Sequence, residues 1–417
     1  MNLAKSRPAD AVSAVLLRLP PLLALCMTAA PLTGVAEPAL FSAAPHHYWE
    51  LKPQDRLQRF MEEVRAGRAA LDASSERALL ASLLKGLKVP ESSQMLVFSA
   101  TSFQSGIVNP RNPRALYFNE DTSIGFIPGG RMEVATFDPQ AGMMFYIFDH
   151  LRSGDAVPGF TRSKSCLNCH TDTMSSGRPG HVINSVAVWW DGSTQETYRY
   201  DEIGHQVPLD VRFGGWHLTG KHRIARTHAN LVGNLTPSGF KGEKNTPGTH
   251  SDLSRYPVAT SDILVQLVHE HQCGFTNRVT AAIYDHRERP TDPAVIKKAA
   301  EELVAYALFS KEAVLPAGLA GDPAFVRDFQ AAAPGSPLRQ FDFGTRLFRT
   351  RLSYMVTTPV WQALPLPVRR EAENQLLSAC GEFPSPAAHQ LTPEERKIMR
   401  PILAALAEKT KTAVATP

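Results

Sequence analysis

Cysteine is scarce in this chain, five in 417 residues, too few for a disulfide scaffold of that length. A strong charge of either sign is also missing. The 44 basic and 40 acidic side chains leave a balance of +4 with no long basic run, so no nucleic acid partner is indicated. H-E-x-x-H, G-x-S-x-G and a glycine-rich dinucleotide loop are absent, which removes common signatures of zinc proteases, α/β-hydrolases and dehydrogenases. No internal repeat or low-complexity block is visible. What is present, 43% apolar and 20% charged residues, is ample for a buried core in one large or two ordinary domains. Proline, at 32 residues, forecasts many ordered loops.

Long apolar runs are confined to the start of the chain. Residues 1–36 read as an export signal: Lys5 and Arg7 come first, Leu19 to Pro31 is apolar, and Gly34-Val35-Ala36 is a small-residue cleavage site. Pro20, Pro21 and Pro31 keep the run short of the ~20 residues a membrane span needs. The expectation is therefore a periplasmic protein with no transmembrane anchor after signal cleavage. Its balance would be +2, and its cysteines would be Cys166, Cys169, Cys273 and Cys380.

Periodicity then divides the chain. Residues 37–92 read as an N-terminal helical segment, with Leu57, Phe60, Met61 and Val64 at helical spacing. Residues 93–258 read as a β-rich region of short runs (MLVFSATSF, RALYFN, SIGFIPGG, MEVATFD, MMFYIFD) broken by Asn, Asp, Pro and Gly, forming a mostly antiparallel sheet. A further hairpin is expected to turn at Asp191-Gly192. The stretch from Arg212 to Asn234 reads as loop or irregular strand. Residues 259–410 read as helical: Asp262 to Asp285, Pro293 to Phe309, Pro323 to Ala332, Gln340 to Met355, Pro367 to Cys380 and Pro393 to Lys409, the last opened by a Thr392/Glu395 capping box. A flexible tail, 411–417, follows. The fold class is α+β, with a β-rich middle and a helical C-terminal half.

Inside the β-rich region Cys166-Leu167-Asn168-Cys169-His170 spells C-x-x-C-H, the attachment signature of c-type haem. Two thiols three residues apart can add to the two haem vinyl groups, and the adjacent imidazole then falls beneath the iron as proximal ligand. Zinc and thioredoxin-like readings lack a second C-x-x-C and a βαβ context respectively. One motif implies one covalent haem c, held by Cys166, Cys169 and His170. Candidates for the opposite side of the iron are many: His181, His205, His217, His222, His228, His250, His269, His271 and His286. His271 interrupts the stripe Leu264, Leu267, Val268, Phe275, a place where a histidine is more often a satisfied core residue than a ligand. His269 lies about 140° from Leu264 around the helix and is expected to face solvent or a loop. His228, in the glycine-rich stretch, competes with His271 because loops carry function. Cys273 and Cys380 are expected to pair, closing a long loop worth ~3–4 kcal/mol, with buried free thiols as the alternative.

The segments SSQMLVFSATSFQ (Ser92 to Gln104), PRALYFNED (Pro113 to Asp121), GFIPGG (Gly125 to Gly130), DPQAGMMFY (Asp138 to Tyr146), CLNCH, RFGGWHLTG (Arg212 to Gly220), EHQ (Glu270 to Gln272) and RQFDFGTRLFRTRLSYM (Arg339 to Met355) resemble a family of large exported bacterial proteins described as cytochrome c domain-containing. That resemblance implies covalent haem and a place in the cell envelope, without a settled reaction. In its pattern the His217 position is often aromatic and the counterparts of His228 and His271 are often His, while Cys273 departs from it. The expected function is an exported mono-haem c-type cytochrome with an electron-transfer role and a redox partner protein in the cell envelope. The alternative is a haem redox enzyme with an open distal site acting on peroxide or a small nitrogen or sulfur oxide.

Overall fold

Asp55 and Ser75 start the first two helices. Their side chains accept from Gln58 N and Ala78 N, satisfying amides that a helix start otherwise leaves unpaired. Helix α1 (Arg56–Arg65) buries Leu57, Phe60 and Met61, and α2 (Glu76–Gly86) buries Leu79, Leu80, Leu83 and Leu84. They meet at Gly86, where a Cβ would stand 2.2 Å from the Phe60 ring. The structure, a computed structural model, describes residues 41–151, 157–381 and 390–415. The signal-like segment 1–36 lies outside them.

Six strands follow as an antiparallel meander in sequence order: β1 (Met95–Val97), β2 (Arg114–Phe118), β3 (Thr122–Phe126), β4 (Glu133–Asp138), β5 (Gly142–Phe148) and β6 (Phe160–Arg162). Short polar turns set the register. Asn119 Oδ1 accepts from the amides of Asp121 and Thr122, and Asp138 Oδ1 from those of Gln140 and Ala141. One face of the sheet packs under α1, tied by Tyr146 Oη to Asp55 at 2.5 Å and by a two-pronged Arg56–Asp121 ion pair. The RFGGWH segment lies along the β1 edge, with His217 N donating to Leu96 O. The Asp191-Gly192 hairpin is present as β7 (Val186–Val188) and β8 (Thr194–Thr197).

The C-terminal half is helical: α4 (Ile263–Glu288), α5 (Pro293–Ala307), α6 (Pro323–Ala331), α7 (Pro359–Gln362), α8 (Leu366–Ala379) and α9 (Pro393–Ala415) follow α3 (Lys164–His170). Asp262, Asp292 and Asp322 cap three of them, and Thr392 and Glu395 exchange bonds as a capping box. α4 is the axle of the molecule. From Ile263 to Asn277 every residue is buried, and the helix packs on β5, α5 and α7. Phe145 and Met143 of the sheet, and Leu267, Phe275 and Val279 of α4, belong to one hydrophobic cluster. The expected division near 258/259 thus separates kinds of secondary structure, and the two sides share a core.

Two expectations need correction. Residues 340–355 do not form a helix. Asp342 Oδ2 accepts from Gly344 N, Phe343 has φ +55°, and Phe341 pairs back onto Phe348, whose ring stacks on it at 5.3 Å. Aromatic packing and an Asp-Phe-Gly turn outweigh the apparent helical spacing there. The stretch expected as loop or irregular strand ends in β9 (Leu231–Thr236), which turns at Pro237-Ser238 and pairs with β10 (Gly239–Lys244). The tail expected from 411 is helical as far as Ala415. No helix among the described residues is long and apolar enough to cross a membrane.

Candidate haem site

The CLNCH motif is folded as α3. Ser163 Oγ caps it by accepting from Cys166 N at 3.3 Å, and buried Leu167 anchors it in the core. One helical turn puts Cys166 and Cys169 on the same side. Both are free thiols, Cys166 half-buried and Cys169 exposed. Burial pushes the Cys166 thiol up, so it stays protonated at neutral pH.

His170 is oriented by two bonds to one residue. Its Nδ1 lies 2.9 Å from the Gly180 carbonyl, and Gly180 N donates to the His170 carbonyl at 2.9 Å. A carbonyl can only accept, so Nδ1 carries the proton and Nε2 holds a lone pair. No described group bonds Nε2. Burial pushes the imidazole down to about 4, so it is neutral near pH 7. A donor nitrogen held through its other N–H by a carbonyl is the usual dress of a metal-binding histidine.

Gly180 is itself locked. Asn277 of α4 accepts from His181 N and donates to the carbonyls of His181 and Met174 at 2.7, 2.9 and 3.0 Å. A Cβ on Gly180 would stand 2.7 Å from Asn277 Oδ1 and from Ser175 Cβ, so only glycine fits between them.

The sheet beneath α3 is asymmetric. On β2, β3 and β4 the residues facing α1 and α2 are buried, while Arg114, Leu116, Ser123, Glu133 and Ala135 on the other face are only half-buried. Opposed residues share a face, so Phe118, Ser123, Ala135 and Phe145 form one row across four strands. Phe145 at one end packs on the His170 ring with centroids 4.3 Å apart. Phe118 at the other end packs on His269 at 4.7 Å. Three strand spacings, roughly 14 Å, separate the two phenylalanines, with small side chains between. The Arg114–Glu133 pair on this face is close enough to Cys166 and His170 to act on both. This sheet face is therefore only half-covered beside the thiols, and the strip between the two phenylalanines is called the slot.

At the far side His269, His181 and Cys273 gather. The His181 and His269 rings meet edge-on at 6.2 Å, and Cys273 Sγ is 3.5 Å from His269 Nε2. Burial pushes His269 down to about 4, and burial with the neighbouring His269 and His170 pushes His181 well below the usual imidazole range. Burial holds Cys273 as a neutral thiol. Behind His269, burial favours a neutral Glu270, but Arg199 at 2.9 Å and Arg212 outweigh it and hold the carboxylate ionised.

The two histidines favoured by the sequence stand elsewhere. His271 Nδ1 bonds His205 Nδ1 at 2.8 Å and its Nε2 bonds Ser353 Oγ at 2.7 Å; the ring stacks on Phe309 at 4.4 Å. It is the satisfied core residue, with no nitrogen free for iron. His228 is half-buried and stacks on Tyr198 at 3.6 Å. His250 packs edge-on against Trp190, and His217 is fully buried beside Phe98. The expectation that His269 faces solvent fails because α4 is buried all round, so a helical wheel cannot tell inside from outside. His181 is marked in the sequence only by the glycine immediately before it, ten residues after the motif. The expected Cys273–Cys380 bridge is not formed. Both are free: Cys273 packs with Met174 and Ile203, while Cys380 caps α8 beside Arg396 and Arg400 of α9.

Comparison with known proteins gives no match to a family model, a curated protein or a solved structure. The cytochrome-like resemblance of CLNCH and its flanking segments thus rests on those segments alone. Among the described residues no three His, Cys, Asp or Glu side chains converge as a metal cage. A haem brings its own equatorial nitrogens and asks the protein for axial ligands only, so the donor set of α3 fits it.

Proposed function

We propose that the chain is an exported mono-haem c-type cytochrome with an electron-transfer role in the periplasm. The observation that carries this reading is His170: Nδ1 protonated and fixed by Gly180, Nε2 left with its lone pair, on the same helix as two free thiols three residues apart. Cys166 and Cys169 would hold the haem vinyl carbons as thioethers and His170 Nε2 would ligate the iron. When bound, the haem supplies a one-electron iron couple. Leu116 and Ala135 offer apolar contact, and the Gly180–Asn277 clamp keeps the imidazole from turning. We assign His269, with His181 beside it, to the far side of the slot in place of His271 and His228.

A second reading, a redox enzyme acting on peroxide or a small nitrogen or sulfur oxide, is favoured by one observation. His269 and His181 are neutral with ring nitrogens that make no bond to an oxygen or nitrogen of the described residues, and a protonated thiol stands beside them. Such groups can hold or pass a proton at an open position.

The test is expression of the full chain with haem-attachment machinery. Haem should stay with the polypeptide through denaturing electrophoresis, and Cys166→Ser/Cys169→Ser should lose it. Retention in that double variant, or no haem in the parent, overturns both readings. A reduced spectrum unmoved by CO supports electron transfer, and a rapid shift supports the enzyme.

A further inference from the structure

A cavity of about 350 Å³ lies between the end of α2, the β2–β3 turn, α4 and α6. That is more than twice the ~150 Å³ that accepts benzene and falls at the lower end of the ligand-pocket range. Its walls are apolar: Leu84, Val89, Phe118, Phe325 and Phe329. Its polar groups are mostly satisfied. Tyr354 Oη donates to Gln272 Oε1 at 3.0 Å, Gln272 donates to Asn119 O, and Ser92 Oγ donates to Asp328 at 2.7 Å. Arg339 is 4% exposed, sandwiched by the Phe329 and Tyr354 rings at 4.7 and 4.6 Å, and paired through Nη2 with Glu120 and through Nη1 with Phe329 O at 3.1 Å.

The mouth carries the second clue. Lys85 and Lys88 are exposed, line the cavity and pair with no carboxylate among the described residues. Lys88 sits at φ +55° just after α2, where Lys88 N bonds Lys85 O and Val89 N bonds Leu84 O. That is the helix-ending position usually given to glycine or asparagine. A lysine held there accepts backbone strain, and its exposed residue forms part of the cavity lining.

We propose that this cavity binds an amphipathic organic monoanion: a ring-sized apolar body within the phenylalanine walls and a carboxylate at Lys85 and Lys88. The site is independent of haem attachment, although Phe118 is shared between its wall and the His269 contact.

Isothermal titration of the full-length protein tests this with three probes. 2-Naphthoate should bind saturably, one per chain. 2-Naphthylmethylammonium, with the same body and opposite charge, should bind far more weakly. 2-Naphthylmethanol, with the same body and no charge, should also bind more weakly than 2-naphthoate. Lys85→Gln/Lys88→Gln should weaken 2-naphthoate about fivefold, as expected for two exposed ion pairs. Ala332→Trp, at an exposed rim position, should block it. Both variants alter exposed side chains, and their thermal unfolding should match the parent. No saturable binding, equal binding of the ammonium probe, or binding untouched by both variants overturns the proposal.

Discussion

His269 and His271 sit two residues apart on α4 and are equally hidden, yet they live in opposite chemical settings. His271 spends both ring nitrogens on His205 and Ser353 and is stacked among Tyr306 and Phe309. His269 has a thiol and a second histidine for company and a phenylalanine beneath it. Two steps of 100° turn them to nearly opposite sides of the helix. Buried polarity on one side closes a hydrogen-bond network, and on the other it leaves donors open beside the slot. Burial alone does not distinguish a structural histidine from a chemical one; the partners of its nitrogens do.

The comparison can be broken in order of effect. Replacing His170 by Ala should abolish a native haem spectrum while leaving the thioethers, read by visible absorption and denaturing electrophoresis. His271→Ala should cost about 3 kcal/mol or more, since it opens a cavity and strands the His205 and Ser353 partners. A urea midpoint unchanged from the parent would break the structural assignment of His271. His269→Ala should do the reverse, costing about 1–2 kcal/mol while changing the haem spectrum or its response to CO. A spectrum unchanged in His269→Ala but changed in His271→Ala would invert the two roles.

Asn277→Leu removes the clamp on the loop carrying Gly180. It should cost about 2 kcal/mol by leaving two carbonyls and an amide unpaired, and broaden the haem absorption without losing the haem. Acid should weaken the fold. Burial pushes His170, His217 and His269 down to about 4, His205 to about 3, and His181 and His271 well below the ordinary imidazole range. Between the ordinary imidazole value near 6.5 and those values the unfolded chain binds more protons, so stability is full above about 6.5 and falls as pH drops toward 4. Thermal midpoints across that window check it, and His205→Gln should flatten the slope slightly. The smallest effect is expected at Cys380→Ser: with no bridge to break, the midpoint should move by under about 1 kcal/mol.

Much of this was legible in the sequence. Strand runs broken by Asn, Asp and Gly marked β2 to β5, because turn residues and alternation act locally. The start signals at Asp262, Pro293, Pro323 and Thr392 placed four helix starts for the same reason, and Asp292 and Asp322 prove to be the caps just ahead of the two prolines. The motif supplied Cys166, Cys169 and His170. The rest depended on contacts distant along the chain. Which histidine of α4 meets the slot is decided by Phe118, some 150 residues earlier, and whether Cys273 meets Cys380 is decided by how α8 docks. The helical spacing of 340–355 misled because Phe341, Phe348 and Phe329 prefer each other's faces to a helix.

The Gly180 clamp divides the site by order of synthesis. His170 and Gly180 are ten residues apart and can meet as soon as both are made, whereas Asn277 and His269 arrive about a hundred residues later and carry the cost of closing a long loop. On the proposed reading, a chain emerging after export would present its thiols and oriented imidazole to haem-attachment machinery before the far wall has formed. Whatever is bonded there would be enclosed only when α4 docks, making that helix both the last part of the site to form and the part that shuts it.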